Sequence, residues 1–441
     1  MLSRRNLLKA GVTAGVAMTF PYVLADEKDK KYRIALIGTG WWGMNIAREA
    51  IKNSDCKIVA MCDVDKNILD LACDEIEKLT GNKPEKYKDY RELLDKVKPD
   101  IVINATPDHW HALITIAACK AGADVYVEKP ISHTILEGKA MVKTARDTNR
   151  VVQVGTHRRV SPHNTAAHKF LKEGKAGKIG MVRAFVHSAY GQWPDPPDSE
   201  PPAGLDWDFW CGPAPLRKYN KRIHPRGFRQ FLDYANGQLA DWGIHWLDQV
   251  MWWTDEKYPK TVYSMGSKKI FSGIADAPDT QVAVYEFDSF TLTWEHRFYA
   301  GNETEKHELG CYFYGTKGIV HVGWHDGWTY YPLTEEEHHH DNQPQETSQM
   351  IHEGPKLHTE DGHNIQELWA DFMDAIKTRR KPICDIEIGH RSTNLSLLGM
   401  LSMKLGRSIK WDGEKEIIIG DEQANKLLRR DYRKPWIYPE V

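Results

Sequence analysis

The sequence predicts an α/β domain with a parallel sheet, followed by a second domain. A glycine-rich turn at 38–43 joins a short apolar strand to a helix, and apolar strands alternate with helices up to about residue 155. A carboxylate ends the second strand, as is typical of a Rossmann dinucleotide-binding domain. We expect this domain at 31–155. Without its first 25 residues the chain of 441 keeps 416, which is enough for two cores.

The first 25 residues have the features of an export signal. Arg4 and Arg5 lie in a run, SRRNLLK, that matches the twin-arginine pattern, and an uncharged stretch follows from Ala10 to Phe20. The apolar run is shorter than the ~20 residues that span a bilayer, so no membrane anchor is expected after cleavage at Ala25. Residues 1–25 therefore predict export of the folded protein to the periplasm. The alternative is a mitochondrial-type presequence or an irregular first helix.

Charge and composition narrow the class of protein. The net charge is −2, and about −5 without Arg4, Arg5 and Lys9 of the signal, so no nucleic-acid partner is expected. The seven cysteines lack the paired spacing of a metal site, and we expect buried thiols. Sixteen tryptophans are many. Most must serve core packing, and some could form apolar platforms for sugar rings.

The turn GTGWWG at 38–43 predicts a nucleotide site. Gly38 permits the tight turn, Gly40 lets a pyrophosphate approach the backbone, and Gly43 lets the helix pack closely on the strand. Asp63 ends the second strand twenty residues after Gly43, where a carboxylate accepts hydrogen bonds from ribose hydroxyls. No Arg or Lys before Lys66 could receive a 2′-phosphate, so the cofactor is expected to be NAD. The same turn adds three candidate cofactor residues, Thr39, Trp41 and Trp42.

Two later strands place polar residues at the same edge of the sheet. The strand at 100–105 ends in Thr106-Pro107-Asp108-His109-Trp110-His111, and the strand at 124–127 ends in Glu128-Lys129-Pro130. Ligands of open parallel sheets bind outside the carboxyl ends of the strands. Lys129 is therefore expected at the cofactor rather than in solvent. The candidate cofactor residues here are Ala105, Thr106, Pro107, His109, His111, Glu128 and Lys129.

Together these segments resemble the Gfo/Idh/MocA oxidoreductases, a family named for glucose–fructose oxidoreductase and inositol dehydrogenase. The resemblance continues through 155–159, 241–245, 314–318, 385–391 and 432–436, the last two as in exported bacterial members. It implies a second domain of α+β type at 156–424, with a large, open, mostly antiparallel sheet for substrate binding and oligomerisation. C-terminal helices would return to the first domain before a tail at 425–441. It also implies action on sugars or polyols, with His157, Arg158 and Arg159 at the substrate.

Asp241 and His245 match the family's Asp-x-x-x-His motif. They lie four residues apart in a segment, Gln238 to Trp252, that reads as one helix, so both side chains would share a face. On spacing alone a structural pair or a helix cap is the safer interpretation. Beside Lys129 and a nicotinamide, the resemblance implies a catalytic set. Lys129 or His245 would take the hydroxyl proton, with Asp241 orienting the substrate, and the sequence does not decide between the two bases.

The motifs assign no role to three further segments. The Pro- and Trp-rich insertion at 187–220 could form a lid or subsite wall over the sugar, with Trp193 and Trp207 as candidate contacts, or equally a surface loop or oligomer contact. The His-rich stretch 335–363 matches no metal-ligand spacing, so no metal is expected. The tail at 425–441 has no assignable chemistry and could wrap a neighbouring subunit.

Three functions remain open. The family favours an NAD-dependent oxidoreductase that moves hydride between a sugar, polyol or glycoside alcohol and a tightly bound nicotinamide. An exported enzyme cannot easily exchange spent cofactor, so the cofactor should return to its starting state within a cycle. That condition also fits an NAD-dependent glycosidase or lyase, which oxidises, eliminates and re-reduces. The third possibility is a non-catalytic sugar-binding protein. A homo-oligomer is expected in each case.

Overall fold

The N-terminal domain is built on a six-stranded parallel sheet. The structure is a computed structural model, and it describes residues 31–53, 56–189, 191–192, 194–333, 349–355 and 364–441. The strand order of this sheet, β3-β2-β1-β4-β5-β6, is that of a dinucleotide-binding domain. The strands are β1 (Tyr32–Ile37), β2 (Cys56–Cys62), β3 (Glu85–Tyr87), β4 (Ile101–Asn104), β5 (Asp124–Val127) and β6 (Val152–Val154). β4 and β5 are buried at every position, because helices cover both faces of a parallel sheet.

Five helices connect these strands: α1 (Trp41–Asn53), α2 (Lys66–Thr80), α3 (Tyr90–Val97), α4 (His111–Lys120) and α5 (Ile135–Asp147). Local chemistry fixes where several of them begin and end. Asp65 and Asp89 accept hydrogen bonds from the first turns of α2 and α3, and Gly81 ends α2 in the left-handed conformation at φ 71°. Asp65 and Asp89 come shortly after the carboxyl ends of β2 and β3, which lie at one edge of the parallel sheet.

A ten-stranded sheet forms the second half, in the order β14-β13-β12-β11-β7-β10-β9-β8-β15-β16. β7 and β10 are parallel and every other neighbouring pair is antiparallel, as the resemblance implies. The strands are β7 (Ile179–His187), β8 (Thr261–Ser267), β9 (Thr280–Glu286), β10 (Thr291–Arg297), β11 (Leu309–Gly315), β12 (Gly318–Val322), β13 (Trp328–Pro332), β14 (Ile351–Glu353), β15 (Ile409–Asp412) and β16 (Ile417–Ile418).

The helices of this half are α6 (Pro162–Lys172), α7 (Trp207–Cys211), α8 (Gly237–Asp241), α9 (Gly243–Trp253), α10 (Ile365–Thr378), α11 (Ile386–Leu405) and α12 (Glu422–Lys426). α9 and α11 cover one face of the large sheet and bury Trp246 and Leu398 against Trp294. The opposite face, called the outer face below, carries Met265 and Val282 directly opposite each other, 61% and 41% exposed.

The expected helix from Gln238 to Trp252 is wrong in one respect, because Trp242 interrupts it. α8 ends at Asp241 and α9 begins at Gly243, with the His245 amide donating to the Trp242 carbonyl at 3.2 Å. The Asp241 carbonyl accepts instead from the ammonium group of Lys129, at 2.9 Å. The break therefore gives a first-domain lysine a backbone acceptor that a continuous helix would have used itself.

The C-terminal part of the chain returns to the first domain. α10 buries Leu368, Trp369 and Phe372 in the core of the parallel sheet, on the stripe that its apolar spacing predicts. α11 begins at Ile386, where the side chain of Asp385 caps it by accepting a hydrogen bond from the Glu387 amide.

The tail packs against its own chain rather than extending from it. Arg430 donates to the Glu137 carboxylate at 3.0 Å and to the His109 carbonyl at 3.2 Å, and the Trp436 ring meets the Trp110 ring edge-on at 4.7 Å. The tail therefore fastens α12 to the loop after β4. No helix in the described part of the chain is long and apolar enough to cross a membrane. Residues 1–25 lie outside that part.

Candidate active site

A cavity of about 350 Å³ lies at the carboxyl ends of β1, β2, β4 and β5 and is called the first cavity here. It is lined by Gly38, Gly40, Trp41, Trp42, Asp63, Ala105, Thr106, Pro107, His111, Glu128 and Lys129, which are eleven of the fourteen residues expected at the cofactor. Thr39 is buried beside them, whereas Gly43 packs α1 on β1 and His109 lies behind the wall. The strand ends thus converge as open parallel sheets require.

Backbone space at the glycine turn fits a dinucleotide. Gly38 has φ 88°, and a Cβ there would lie 2.6 Å from the Ala105 carbonyl oxygen. A Cβ on Gly43 would lie 2.1 Å from the Gly38 carbonyl oxygen, so only glycine permits this packing. Nothing lies within 4 Å of a Cβ built on Gly40, which faces the cavity. The start of α1 is therefore open to a pyrophosphate at its exposed amides.

Asp63 keeps one acceptor position for a ribose hydroxyl. Its Oδ2 accepts from the Thr39 amide at 2.8 Å and the Thr39 hydroxyl at 3.1 Å, and its Oδ1 accepts from the Asp65 amide at 3.0 Å. These bonds occupy three of the roughly four lone-pair positions of a carboxylate. The Thr39 bonds also tie the glycine turn to the end of β2. The free acceptor position on Asp63 fits a ribose hydroxyl of NAD. Lys66, the nearest following cation that could receive a 2′-phosphate, is paired with Asp70 instead.

The reactive end of the cavity holds a charged group of three side chains. The Lys129 ammonium group donates to Asp241 Oδ1 at 2.8 Å, and Arg229 Nε lies 2.9 Å from the same oxygen. Burial alone would raise the pKa of Asp241, but the charges of Arg229 and Lys129 lower it by more than burial raises it. The pKa of this carboxyl is therefore below its usual value, and the carboxylate stays ionised. A residue from the loop after β5 and two from the second domain therefore form one electrostatic unit, called the Lys129 group below.

A second cavity of about 290 Å³ adjoins the first at this group. Arg226 and Arg229 line both cavities, Lys129 lines the first and Asp241 the second. Further lining residues come from several segments of the second domain. Gln230 lies in the loop before α8, Gln238 in α8 and Trp242 directly after it, Phe271 between β8 and β9, and Phe298 directly after β10. A small ligand there would meet the Lys129 group at the mouth of the first cavity.

Asp108, just after β4, is a buried carboxyl near this group. It is 1% exposed, and within the described residues neither side-chain oxygen accepts a hydrogen bond. Burial raises its pKa to about 7; the Arg229 charge opposes the shift and the Asp241 charge adds to it. Asp108 therefore changes protonation near neutral pH beside the Lys129 group.

Asp108→Asn is expected to stabilise the protein at alkaline pH. The pKa of about 7 in the fold exceeds the roughly 3.9 of an unfolded chain, so wild-type stability falls as pH rises between these values, by at most about 4 kcal/mol. Above about pH 7 the loss is complete, and below about pH 4 it vanishes. Thermal unfolding in constant excess NAD⁺ should show a higher Tm for the variant at about pH 8 and a converging Tm towards about pH 4. The exposed Asp74→Asn is the control; a parallel pH profile for the two variants would contradict the assignment.

The other expected catalytic residue, His245, lies in a ring cluster. Its imidazole is 5.2 Å from that of His157 and 4.9 Å from the Trp324 ring, measured between centroids. His245 is 6% exposed and is not among the described residues that line either cavity. The structure thus joins Asp241 to Lys129 directly, while His245 packs one turn further along.

The three residues expected at the substrate on the segment after β6 are buried. His157 packs on Trp324 at 5.6 Å, and the Arg158 guanidinium lies 3.3 Å from the centre of the same ring. Arg159 forms a buried ion pair with Asp248 at 2.8 Å. None of the three is among the described residues that line the two cavities. His157 and Arg159 thus attach the segment after β6 to α9, through His245 and Asp248.

The insertion contributes to the walls of both cavities: Phe209 and Trp210 line the first, and Gly191 lines the second. The Asp206 amide donates a hydrogen bond to the Val64 carbonyl at 2.9 Å, and the Trp110 indole donates one to the Trp210 carbonyl at 2.9 Å. Trp207 is buried and stacks on Trp210 at 4.6 Å, so it contacts neither cavity. Trp193 and most of 335–363 lie outside the described residues.

His109, expected at the cofactor, faces this insertion. Its ring is fully buried, with Nε2 2.9 Å from the Trp210 carbonyl oxygen. His111 does line the cavity, and its two ring nitrogens lie 2.7 Å and 2.8 Å from the carbonyl oxygens of Pro130 and Thr106. His111 therefore links Thr106, in the loop after β4, to Pro130, which follows Lys129 in the loop after β5.

Sequence reasoning missed Arg226, Arg229 and Asp108. The arginines lie in the run RIHPRGFRQF at 222–231, where cations recur shortly before the Asp241 motif, and that recurrence was the available signal. It also missed a set of possible metal ligands at the outer face: side-chain ligand atoms of His307, His321 and Asp326 lie within 4.8 Å of one another. The two imidazoles stack at 3.6 Å, and none of the three residues lines either cavity.

Family models match both halves of the chain. The GFO_IDH_MocA model described as an oxidoreductase family with an NAD-binding Rossmann fold matches residues 32–156. The model for that family's C-terminal alpha/beta domain matches 189–322 and 356–438. The chain belongs to the Gfo/Idh/MocA oxidoreductase family. As a member it has an NAD-binding Rossmann domain, and NAD is its cofactor, as the sequence predicts.

Curated Gfo/Idh/MocA relatives match part of the chain. A glycosyl hydrolase family 109 protein of Stenotrophomonas maltophilia is 28% identical over 197 residues, 43% of this chain and 43% of that protein. The levoglucosan dehydrogenase of Pseudarthrobacter phenanthrenivorans is 35% identical over 121 residues, 27% of this chain and 29% of that protein. The chain thus aligns with less than half the length of either relative, and their substrates do not transfer to it directly.

Solved structures of similar fold cover most of the chain. A levoglucosan dehydrogenase in complex with NADH and levoglucosan has a TM-score of 0.65 at 18% identity, covering 89% of this chain and 100% of that one. The WlbA dehydrogenase of Bordetella pertussis, with NADH and UDP-GlcNAcA, has a TM-score of 0.64 at 18% identity, covering 87% and 99%. These likenesses concern the two-domain fold, including its mostly antiparallel second sheet.

Proposed function

We propose that the protein oxidises a secondary alcohol of a sugar, polyol or glycoside, with NAD as the tightly bound hydride acceptor. The observation that carries this proposal is the Lys129–Asp241 contact of 2.8 Å at the junction of the two cavities. Lys129 thus lies between the dinucleotide cradle and the space for a small ligand, which supports it as the group that exchanges the proton. The levoglucosan dehydrogenase and the other sugar-binding relatives support a carbohydrate substrate.

The geometry of Lys129 defines its proton-exchanging position. Two N–H groups point to Asp241, one to the backbone carbonyl at 2.9 Å and one to Oδ1 at 2.8 Å. The remaining tetrahedral position of the nitrogen carries either a third proton or the lone pair. In the neutral amine, that lone pair takes the proton of the substrate hydroxyl when hydride leaves its carbon.

Arg229 and Asp241 fix the position of the Lys129 nitrogen. The Lys129 nitrogen lies 2.8 Å and Arg229 Nε lies 2.9 Å from the same oxygen of Asp241, so two cationic side chains share one carboxylate. When bound in the first cavity by the glycine turn and Asp63, NAD⁺ would supply the hydride acceptor. The Lys129 group then orients the hydroxyl and holds the proton that leaves it.

The second candidate is an NAD-dependent glycosidase or lyase. The glycosyl hydrolase family 109 relatives favour it. Transient oxidation of a ring hydroxyl to a ketone makes the neighbouring C–H acidic, and loss of that proton expels the glycosidic oxygen by elimination. In a glycosidase water then adds to the enone before hydride returns to the ketone, whereas in a lyase the double bond remains. The same lysine and carboxylate would serve this route, so geometry alone does not separate the two reactions.

Incubation of the NAD-loaded protein with matched free sugars and aryl glycosides, without an added acceptor, separates the two reactions. We expect one equivalent of NADH per protein and then a stop, because no second substrate regenerates NAD⁺. Many turnovers of aglycone release would establish the glycosidase instead. If the NAD-loaded protein forms neither NADH nor free aglycone with any member of the panel, both proposed reactions are refuted.

We also propose that residues 1–25 direct export of the folded, cofactor-loaded protein to the periplasm. The twin-arginine pattern at Arg4 and Arg5 supports this, because that route carries folded proteins. The double variant Arg4→Lys, Arg5→Lys is expected to retain the protein in the cytoplasm, measured by fractionation and immunoblotting. Equal periplasmic amounts of variant and wild type would contradict export by this route.

The outer face of the large sheet supports a homo-oligomer. Tyr263, Met265 and Val282 are each more than 40% exposed there, and a contiguous apolar strip on an uncovered sheet fits a second copy of the same strip. Met265→Glu is expected to shift the protein to a smaller species in sedimentation velocity with its fold retained. A wild-type monomer would contradict the proposal, as would an oligomer that the substitution does not affect.

A further inference from the structure

Cationic side chains outnumber carboxylates along the second cavity. Among the described residues, four cations and two carboxylates line it: Arg222, Arg226, Arg229 and Lys268 against Asp241 and Asp279. Lys129 adds a further positive charge through its contact with Asp241. A neutral sugar would leave this excess without a counter-charge in a partly enclosed space, where charges are weakly screened.

The two carboxylates already have their partners. Asp279 accepts hydrogen bonds from the backbone amides of Lys269, Ile270 and Phe271 at 2.7–2.9 Å and from the Thr280 hydroxyl at 2.8 Å. Its charge therefore holds the loop after β8. Asp241 is shared between Lys129 and Arg229. Neither carboxylate forms an ion pair with Arg226 or Lys268.

Two of the cations are available to a ligand. Arg226 is exposed and lies over the Trp41 ring at 5.6 Å, and no carboxylate among the described residues lies within ion-pair distance of it. Lys268 donates to the Gly273 carbonyl at 2.6 Å, which satisfies one of its three N–H groups without neutralising its charge. Arg222 is nearly buried, and its carboxylate partner Asp195 is 3.8 Å away.

The remaining lining fits a sugar ring. Trp242, Phe271 and Phe298 provide apolar ring faces, and Gln230 and Gln238 provide side-chain amides that both donate and accept hydrogen bonds. The volume of about 290 Å³ is at the small end for ligand sites. The cavity therefore combines surfaces for hydroxyls and C–H faces with an excess of positive charge.

We propose that the second cavity selects a negatively charged carbohydrate, one that carries a carboxylate or another oxyanion substituent. The inference rests on the proposed function, because it assumes that the substrate occupies this cavity beside the Lys129 group. The oxyanion lies between Arg226 and Lys268, where the planar guanidinium can donate two parallel hydrogen bonds. The ring then extends towards Asp241 with its hydroxyls at Gln230 and Gln238.

Isothermal titration of the NAD-saturated protein with matched pairs tests the selection. Glucuronate is compared with glucose and galacturonate with galactose, and glucose 6-phosphate and glucose 6-sulfate distinguish the type of oxyanion. We expect at least one charged sugar to bind about tenfold or more tighter than its neutral parent at low ionic strength. The advantage should shrink as salt is added. Neutral parents that bind as tightly as every charged partner would overturn the inference.

Single charge removals locate the effect. Arg226→Gln and Lys268→Gln are each expected to weaken binding of the charged sugar by more than binding of its neutral parent, and so to remove most of the acid's advantage. Lys221→Gln and Lys269→Gln remove neighbouring exposed charges that do not line the cavity, and they should bind like wild type. Equal effects of the two sets of variants would overturn the inference.

Failure of this inference and failure of the proposed function give different results. Reduction of bound NAD⁺ by neutral sugars alone, without selective binding of acids, retains the proposed function and rejects the charge selection. A charged sugar that binds through Arg226 and Lys268 without reducing NAD⁺ retains the selection and rejects the oxidation.

Discussion

Replacing Lys129 by alanine is expected to slow reduction of bound NAD⁺ by its substrate about 10²–10⁴-fold, the usual loss when a general acid–base group is removed. NAD content should stay at the wild-type level, because the glycine turn and Asp63 hold the dinucleotide at the far side of the first cavity. Single-turnover kinetics with the reducing carbohydrate, together with cofactor analysis of the denatured protein, measures both quantities. Lys120→Ala, which removes an exposed lysine at the end of α4, is the control.

Two further variants decide which residue takes the proton. Asp241→Asn removes the carboxylate that holds Lys129 and should lower the rate and move its pH profile. His245→Ala should cost less than Lys129→Ala, because His245 packs among rings and is not among the described residues that line the cavities. An equal or larger loss in His245→Ala, with Lys129→Ala near wild type, would assign the base to the histidine.

Gly43→Ala is expected to destabilise the protein and to abolish its NAD binding. The added Cβ would lie 2.1 Å from the Gly38 carbonyl oxygen, so α1 or the glycine turn must shift. Overpacking of this kind costs roughly 1–3 kcal/mol or more. Because the displaced backbone belongs to the pyrophosphate cradle, stability and cofactor affinity should fall together.

Gly40→Ala is the matched control at the same turn. Nothing lies within 4 Å of its Cβ, so the free energy of unfolding without cofactor should stay within about 1 kcal/mol of wild type. The methyl group would occupy space in the first cavity, and NAD affinity alone should fall. Thermal unfolding with and without NAD⁺ separates the two variants. Equal stability losses at positions 40 and 43 would contradict this account of the turn.

The sequence predicted the parts of the site whose positions local chain geometry determines. Gly38, Gly40 and Asp63 follow strands of a parallel sheet, and the ends of such strands must meet at one edge. Lys129 was placed in the same way. Asp241 was linked to Lys129 through the family resemblance, since 112 residues separate them and no local rule joins them.

The misses involve contacts between distant parts of the chain. Trp242 breaks the expected helix because Lys129 from the other domain takes the Asp241 carbonyl, which spacing within the segment cannot reveal. Trp207 reads as a candidate sugar platform, but the insertion crosses to Val64 and buries its ring on Trp210. Arg226 and Arg229 belong to the site because the loop before α8 lies against both cavities in the folded chain, which the sequence does not reveal.

Transfer of a labelled hydride to the bound cofactor tests the central claim most directly. The NAD-loaded protein is incubated with a carbohydrate deuterated at its ring carbons, and the cofactor is released and weighed by mass spectrometry. The account predicts one deuterium on the nicotinamide for wild type and little for Lys129→Ala within the same time. A reactive carbohydrate that is converted without any deuterium reaching the cofactor would contradict it.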